Sequence, residues 1–260
     1  MSDAGYAFLD TGLAARRLVL LASVFEAPSA HFLRRIVTTP PAVAVDLGCG
    51  PGLTTRLLAA TTGARRTTGT DESERFLELA RRDAPEGVEF AHHDATITPL
   101  PGAPADLIYC RLLLAHLPDP GAMVARWTTQ LRPGGVLAVD EVEEIRSEHA
   151  LLREYEAMVE ALVASRGASV SAGPAVDALT RGPGWRKASS ELVGFRVPVA
   201  AAARMFGMNL ATWRDDPFVR RTYGRATVER VAAGLASLSS SGSDGTVTWV
   251  LRHATFVRNG

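Results

Sequence analysis

An apolar segment followed by a glycine-rich turn is the feature that most restricts how this chain can fold. Residues 43–52 read VAVDLGCGPG, so an apolar run ends in Asp46 and three glycines follow at alternate positions. The next segment, Leu53 to Ala60, has helical spacing, and Gly63 is well placed to end that helix. Glycine lets the backbone approach a ligand closely, and a helix start offers unpaired N–H groups. The segment therefore predicts a strand, a ligand-binding turn and a helix.

Strand and helix patterns alternate along the chain after this turn. Four further segments, RTTGTD, VEFAHHDA, DLIYC and VLAVD, have the composition of short buried strands, and helical patterns lie between them. In the third strand His92 alternates with Val88 and Phe90, so we expect it in the core. Repeated strand–helix alternation is typical of a parallel, doubly wound sheet with right-handed crossovers.

The pattern changes beyond Val139. A longer amphipathic helix is predicted from Leu151 to Leu162, and a loop or hinge from Gly167 to Gly173. ELVGFRV and GTVTWVLRHATFV predict the sixth and seventh strands, and the segment between them is too apolar for a linker. We expect helices there, over the ligand edge of the sheet, with Met205, Phe206, Met208 and Trp213 either in their core or in a substrate lid. Another helix is predicted at the N-terminal end, from Thr11 to Phe25.

Composition limits the classes of protein to which the chain can belong. The 28 basic and 28 acidic residues balance and the isoelectric point is near 7, which gives no footprint for nucleic-acid binding. Cys49 and Cys110 are too few for a disulfide framework and indicate a reducing compartment. We find no metal-ligand cluster, no basic leader and no apolar run long enough for a membrane span. The sequence thus favours a cytoplasmic protein without metal.

The spacing of the turn favours a cationic nucleoside over a dinucleotide. Dinucleotide folds use G-x-G-x-x-G, whereas here Gly48, Gly50 and Gly52 are followed directly by Leu53. A carboxylate at Asp46 would also repel a pyrophosphate at the helix start. The expected ligand is therefore an adenosine that carries a cationic amine in place of phosphates.

From Ala42 to Asp140 the chain resembles the class I S-adenosylmethionine-dependent methyltransferases, most closely those that act on small molecules of secondary metabolism. Five segments in the family's order carry the resemblance: VDLGCGPG, GTDES, HHDA, ADLIYCRLLLAHLPDP and LRPGGVLAVDE. It implies a Rossmann-like sheet of seven strands, mostly parallel with an antiparallel last strand, plus N-terminal helices and a helical lid. Residues 1–260 are expected to form one domain. It divides into an N-terminal helical cap (1–40), a cofactor-binding core (41–145), a lid with the sixth strand (146–245) and the last strand (246–260).

The resemblance also implies S-adenosylmethionine as the cofactor and assigns the residues around it. The glycine backbone would lie against the methionine part, with Asp46 near the amino group, Asp71 on the ribose hydroxyls and Asp94 on the adenine amine. The full set of implied cofactor contacts in this core is Asp46, Gly48, Cys49, Gly50, Asp71, Glu72, Asp94, Ala95, Cys110 and Arg111. Simpler interpretations remain open, since Asp71 also suits a helix N-cap and Asp94 a turn.

Three further residues complete the predicted site. Arg17 lies on an otherwise apolar helix face, so it either extends to solvent or holds an anion such as the cofactor carboxylate or an acidic substrate group. Tyr6 is a further candidate to close over the cofactor. His116, just after the fourth strand, is where the family often has a histidine facing the methyl group, and it is either the general base or a loop contact. Glu141, Glu143 and Glu144 are interpreted as a solvated acidic run.

The resulting functional prediction is methyl transfer from S-adenosylmethionine to oxygen or nitrogen of a small, aromatic or heteroaromatic natural product. Alignment of acceptor and methyl group supplies most of the rate, so a base is not essential. We expect no nucleic-acid or membrane partner, and either a monomer or a homodimer. The alternatives are a relative that binds the cofactor without methyl transfer, as a regulatory module or with diverted chemistry, and a nicotinamide-dependent oxidoreductase.

Overall fold

A computed structural model of the protein describes residues 12–240 and 244–260, with side chains from residue 16 onward in the first helix. Its strands are β1 (Val43–Leu47), β2 (Arg66–Asp71), β3 (Val88–His92), β4 (Ala105–Arg111), β5 (Leu131–Arg146), β6 (Arg181–Gly182), β7 (Trp185–Pro198) and β8 (Thr246–Arg258). Its helices are α1 (Gly12–Ile36), α2 (Leu53–Thr62), α3 (Glu74–Arg82), α4 (Pro120–Thr128), α5 (Ala150–Ala164), α6 (Gly173–Ala178), α7 (Val199–Trp213) and α8 (Pro217–Ser240).

All eight strands form one mixed sheet in the order β3-β2-β1-β4-β5-β8-β7-β6. The first five strands run parallel, while β8 is antiparallel to both β5 and β7. The strand order reverses between β1 and β4. In open parallel sheets this is where the loops after the strands separate and leave a crevice for a ligand.

Helices cover both faces of the parallel part of the sheet, so its strands are buried on both sides. Along β1, Val43, Val45 and Leu47 pack in one apolar cluster with Trp127 of α4, whereas Ala44 packs in the opposite cluster with helix α1. This two-sided burial explains why the parallel strands are continuous apolar runs rather than alternating ones.

A third apolar cluster joins helices α1, α5, α7 and α8 to the C-terminal end of β7 and the N-terminal end of β8. Helix α1 extends to Ile36, well past the predicted end at Phe25, and it carries Pro28 inside. Helix α8 is interrupted at Gly224, whose backbone has φ 73° and ψ 159°. The segment between the last two long strands is therefore helical, as its apolar composition predicts.

Several details differ from the sequence-based expectation. The sheet has eight strands rather than seven because a two-residue strand, β6, forms a hairpin with the start of β7. The predicted sixth strand begins earlier, at Trp185, and a short helix, α6, begins at Gly173, the last residue of the predicted loop. His92 is exposed rather than in the core, because it is the last residue of β3. Among the described residues, no helix is both long and apolar enough to span a bilayer.

Candidate functional site

The loop after β1 is held open by glycines and tied to the neighbouring strand. Gly48, Gly50 and Gly52 all have positive φ, at 66°, 52° and 81°. Such angles suit glycine because it has no Cβ. The Cys49 amide donates to the Thr70 carbonyl over 2.9 Å, and the Gly50 amide donates to Asp71 Oδ2 over 2.8 Å. The loop therefore presents bare backbone at the carboxyl end of the sheet.

Asp46 lies beneath this loop and is almost fully buried. Its Oδ2 accepts a hydrogen bond of 2.7 Å from Thr55, whereas Oδ1 is buried with no hydrogen-bond partner among the described residues. Burial raises the pKa of Asp46 to about 7, although the Thr55 hydroxyl and the charge of Arg111 act to lower it. A cationic group beside Oδ1 would favour the charged carboxylate and supply the missing partner.

The ends of β2 and β3 bring three predicted acids together. Asp71 is half-buried, and its Oδ1 accepts from the Ser73 amide over 2.8 Å while Oδ2 holds Gly50. Glu72 is exposed, and desolvation followed by the charge of Asp94 raises its pKa. Partial burial acts to raise the pKa of Asp94, but hydrogen bonds from Thr96 lower it overall. Asp71 thus shapes the loop as well as facing the site, and it does not cap helix α3, whose N-cap is Ser73.

The Asp94–Ala95 turn is fixed from below by a core tryptophan. Trp127 is fully buried, and its indole N–H donates to the Ala95 carbonyl over 2.7 Å. The Thr96 amide and hydroxyl both donate to Asp94 Oδ1 over 2.7 Å. The Asp94 side chain thus accepts from the backbone two residues on, which is the turn role that the sequence left open, and the bond from Trp127 fixes Ala95 beside it.

The segment after β4 is held by a buried glutamate. Glu141 Oε1 accepts from the amides of Leu113 and Leu114, each over 2.8 Å, and the Cys110 thiol lies 3.9 Å from the same oxygen. Burial raises the pKa of Glu141 to about 8 despite these amide donors. The interpretation of Glu141 as part of a solvated run is therefore wrong, because the carboxyl group caps an interior turn. Both cysteines, Cys49 and Cys110, are buried free thiols.

Leu112 directly follows β4 in a strained conformation, with φ 55°. Positive φ is rare for residues other than glycine, and such strain is often found at functional sites. Leu113 packs on the glycine loop so tightly that a Cβ at Gly48 would lie 2.9 Å from it. The loops after β1 and β4 therefore form one surface.

Arg111 belongs to a buried polar cluster that ties α1 to the sheet, and the structure does not place it on the glycine loop. Its Nη1 donates to Ser29 Oγ over 3.3 Å, and Ser29 donates to Asp140 Oδ2 over 2.6 Å. Tyr109 donates to the same carboxylate oxygen over 2.8 Å, and His253 Nε2 lies 3.2 Å from Asp140 Oδ1. Arg111 still contributes positive charge to Asp46.

A cavity of about 280 Å³ begins at the strained turn after β4. Leu112, Ala115 and His116 line one end of it, and helices α1, α5 and α7 enclose the rest together with β5 and Trp249 of β8. Aromatic rings form much of its wall, since Tyr155 stacks on Phe206 at 4.4 Å and Phe206 contacts Trp249 at 5.6 Å between centroids.

The structure brings Arg17 and His116 together at this cavity. Arg17 is 6% exposed, so its guanidinium does not extend to solvent. The His116 ring is exposed to the cavity, yet the surrounding protein and then the charge of Arg17 lower its pKa to about 4. The direction of this shift keeps the imidazole neutral near pH 7. Tyr6, the other candidate from the N-terminal segment, lies outside the described residues.

Several polar residues of this region were missed from the sequence. Glu156, Glu160 and Asn209 line the cavity, and Tyr155 accepts a hydrogen bond of 2.6 Å from Asn209. A signal existed for two of them, because Glu156 adjoins Tyr155 on an amphipathic helix and Asn209 interrupts the apolar face of α7. No local pattern marks Asp140 or Ser29 as partners, since they are 111 residues apart.

The fold and this arrangement resemble those of class I methyltransferases, and comparison with known proteins agrees. A family model described as a methyltransferase domain matches residues 45–139. Trans-aconitate 2-methyltransferase of Methylobacterium radiotolerans is 40% identical over 131 residues, which are 50% of each chain. The Methylobacterium nodulans enzyme of the same name is 39% identical over 149 residues, 54% of this chain and 56% of that protein. The chain spans about half the length of these curated relatives.

Solved structures share the fold over more of the chain. An inferred methyltransferase from Bacillus halodurans aligns with 90% of this chain and 100% of its own, at a TM-score of 0.59 and 14% identity. Phosphoethanolamine N-methyltransferase 2 of Haemonchus contortus, solved with S-adenosylhomocysteine, aligns with 94% of this chain and 58% of its own. The TM-score is 0.53 and the sequence identity is 17%. The resemblance to S-adenosylmethionine-dependent methyltransferases predicted from sequence is thus confirmed, and the likeness to these structures concerns the fold.

Proposed function

We propose that the protein transfers a methyl group from S-adenosylmethionine to a small molecule held in the cavity beside the β4 loop. The observation that carries this proposal is the shared surface of the two loops after β1 and β4. One presents bare glycine backbone above a buried carboxylate, and the other opens directly into an aromatic-walled cavity. A cofactor on the first loop and an acceptor in the cavity would be neighbours.

The residues of the crevice fit this cofactor. The unpartnered Oδ1 of Asp46 suits a cationic amine, and the Gly48–Gly50 backbone leaves room for the methionine part. Asp71 would take the ribose hydroxyls, beside Glu72, and Asp94 with Ala95 would hold the adenine. Cys49 and Cys110 would line the site as buried neutral thiols, since burial raises the pKa of both well above the usual range. When bound, S-adenosylmethionine supplies an electrophilic methyl group on a sulfonium.

The protein's own contribution would be mainly alignment and exclusion of water. Well-oriented reactions gain about 7–11 kcal/mol from positioning alone. The 41–145 segment would hold the cofactor, while α1 and the helices of 146–245 would act as a lid over the acceptor. Leu18 of α1 already lies close to the glycine loop, 3.5 Å from where a Cβ of Gly50 would be. An aromatic or heteroaromatic acceptor, methylated on oxygen or nitrogen, would suit the rings of the wall.

The curated relatives are named for trans-aconitate, a tricarboxylate, and this chain offers less support for that acceptor. Of the described residues that line the cavity, five are glutamates and one, Arg17, is a lysine or arginine. The three carboxylates of trans-aconitate would be attracted by one guanidinium in the cavity and repelled by its glutamates. An acceptor with fewer negative charges is therefore favoured.

Replacing Asp71 with alanine is expected to weaken S-adenosylhomocysteine binding by roughly 5–150-fold, the equivalent of about 1–3 kcal/mol, through lost hydrogen bonds to a charged group. Isothermal titration of the wild type, Asp71→Ala and the exposed control Asp83→Ala measures this. The same titration with NADH tests the oxidoreductase alternative. Heat with NADH and none with S-adenosylhomocysteine contradicts the proposed function, while equal affinities for the three proteins contradict only the role of Asp71.

We assign His116 the role of general base, and His116→Asn is expected to lower kcat by roughly 10²–10⁴-fold with unchanged cofactor affinity. Because the pKa of His116 is lowered to about 4, the imidazole should stay neutral, and kcat flat, from pH 8 to pH 6. The assay follows a 14-dalton mass gain across a library of aromatic amines and phenols, with exposed His31→Asn as control. Full activity of His116→Asn assigns the histidine a loop contact only, and methyl transfer by alignment then remains. Cofactor binding with no product from any acceptor favours the regulatory or diverted alternative.

A further inference from the structure

The cavity has an excess of hydrogen-bond acceptors deep in its wall. Asn209 is 9% exposed and donates to the Tyr155 hydroxyl, while its own Oδ1 is buried with no partner among the described residues. Glu156 Oε1 is likewise buried and unpartnered in the described part of the chain. Unsatisfied buried acceptors are costly, so their presence in an open cavity indicates a ligand that brings hydrogen-bond donors.

Charge in the same wall points the same way. Glu156 and Glu160 lie four residues apart on α5 and both line the cavity. Like charges at this helical spacing destabilise a helix. Burial, and next the charge of Glu160, raises the pKa of Glu156 to about 7. Neither carboxylate lies within ion-pair distance of a lysine or arginine among the described residues, and the more distant charge of Arg153 does not outweigh burial and Glu160 at Glu156.

The other glutamates of the cavity are already satisfied. Glu143 forms a two-point ion pair with Arg252 at 2.8 and 3.1 Å, Glu144 pairs with Arg146, and Glu141 caps the β4 turn. The negative charge that remains for a ligand is therefore concentrated on α5. Beside it lie the stacked rings of Tyr155 and Phe206, which give an apolar wall for the body of a ligand.

We propose that the acceptor carries a protonated amine on an apolar or aromatic body, with the amine held by Glu156, Glu160 and the Asn209 carboxamide oxygen. That the bound molecule is methylated rests on the proposed function, whereas its binding depends only on the cavity. The amine serves as the handle that orients the molecule. The body extends along the aromatic wall toward Leu112 and His116, where the methylated atom lies.

Three probes with the same phenyl ring and different charge test this: phenethylamine, 2-phenylethanol and phenylacetate, with trans-aconitate as a fourth. Affinities are measured by ligand-observed NMR, with and without S-adenosylhomocysteine. We expect the wild type to bind phenethylamine at least tenfold more tightly than phenylacetate and not to bind trans-aconitate. Failure of phenethylamine to bind at 10 mM, or equal or tighter binding of either anion, overturns the inference.

Matched variants identify the residues responsible. Glu156→Gln with Glu160→Gln should remove the tenfold preference, while Glu154→Gln, on the same helix but outside the cavity, should keep it. Asn209→Asp should keep or increase the preference and Asn209→Leu should reduce it. Thermal unfolding checks that each variant is folded, and Glu160→Gln should be no less stable than the wild type because it removes a like charge. A preference that survives in the folded double variant contradicts the assignment, and it does so whether or not the protein binds S-adenosylhomocysteine.

Discussion

Asp140→Ala is expected to lower the free energy of unfolding by about 3–5 kcal/mol, because it removes the carboxylate of a buried polar cluster and leaves its partners uncompensated. Asp140 is fully buried and gathers Ser29, Tyr109 and His253 around one carboxylate. Without it, the Ser29 and Tyr109 hydroxyls lose their acceptor, and the buried Arg111 charge loses the opposite charge of this carboxylate. Since Ser29 belongs to α1, the variant should also release the helix that covers the glycine loop.

The effect should depend on pH in a defined direction. Burial acts to raise the pKa of Asp140, but His253 and Arg111 lower it overall. A carboxylate with a lowered pKa stabilises the fold fully when the pH is above its pKa in the unfolded chain, which is near 4. This contribution is lost as the pH falls through the pKa in the folded protein. The difference between wild type and variant should therefore be constant from pH 8 to pH 5 and shrink below pH 4.

Urea unfolding of Asp140→Ala and of Asp106→Ala provides the comparison. Asp106 also accepts two hydrogen bonds from an arginine, Arg132, but the pair is partly exposed, so it should contribute only about 1 kcal/mol. If both variants lose the same free energy of unfolding, burial of the Asp140 cluster does not make it more important to stability than a partly exposed ion pair.

Local chemistry made the cofactor half of the fold predictable. The second strand was predicted at residues 66–71 and is found there, and Gly63 ends α2 with φ 66°, as its position indicated. Strand content and turn glycines are properties of a few neighbouring residues, so one sequence suffices to find them. The acids at the ends of β2 and β3 follow from the same strands, because parallel strands end at one edge of the sheet.

The acceptor side was less predictable because it is assembled from distant segments. Whether Arg17 extends to solvent depends on what packs against α1, and both α2 and α7 contact this helix. Glu141 reads as solvated in sequence, yet it caps a turn that lies 27 and 28 residues earlier in the chain. The additional strand, β6, is two residues long and has no periodicity to detect.

These two halves meet at α1, which links cofactor loop and acceptor cavity. Leu18 lies close to Gly50, Arg17 lines the cavity, and Ser29 joins the cluster around Asp140 of β5. One helix therefore contacts both proposed ligand positions and is fixed to the sheet by a buried carboxylate. Changes in the cluster should reach both sites through this helix.

Gly52→Ala is expected to cost about 2–6 kcal/mol of stability and to abolish measurable S-adenosylhomocysteine binding. Gly52 has φ 81°, and an added Cβ would lie 2.7 Å from Phe90 Cζ and 2.8 Å from Ala80 Cβ. Backbone strain contributes about 1–3 kcal/mol and overpacking a similar amount. Because both contacts press on the start of α2, the glycine loop must shift to relieve them.

Gly134→Ala separates the two contributions, since Gly134 has φ 78° with nothing within 4 Å of the added Cβ. It should lose only the strain energy and keep full cofactor affinity. Shortening the opposing ring in Gly52→Ala/Phe90→Leu should recover part of the lost stability, which a double-mutant cycle measures against Phe90→Leu alone. Urea unfolding and titration of all four variants decide the matter. Equal losses in Gly52→Ala and Gly134→Ala would mean that the loop tolerates a side chain at this position, and that close packing of β3 and α3 does not set its shape.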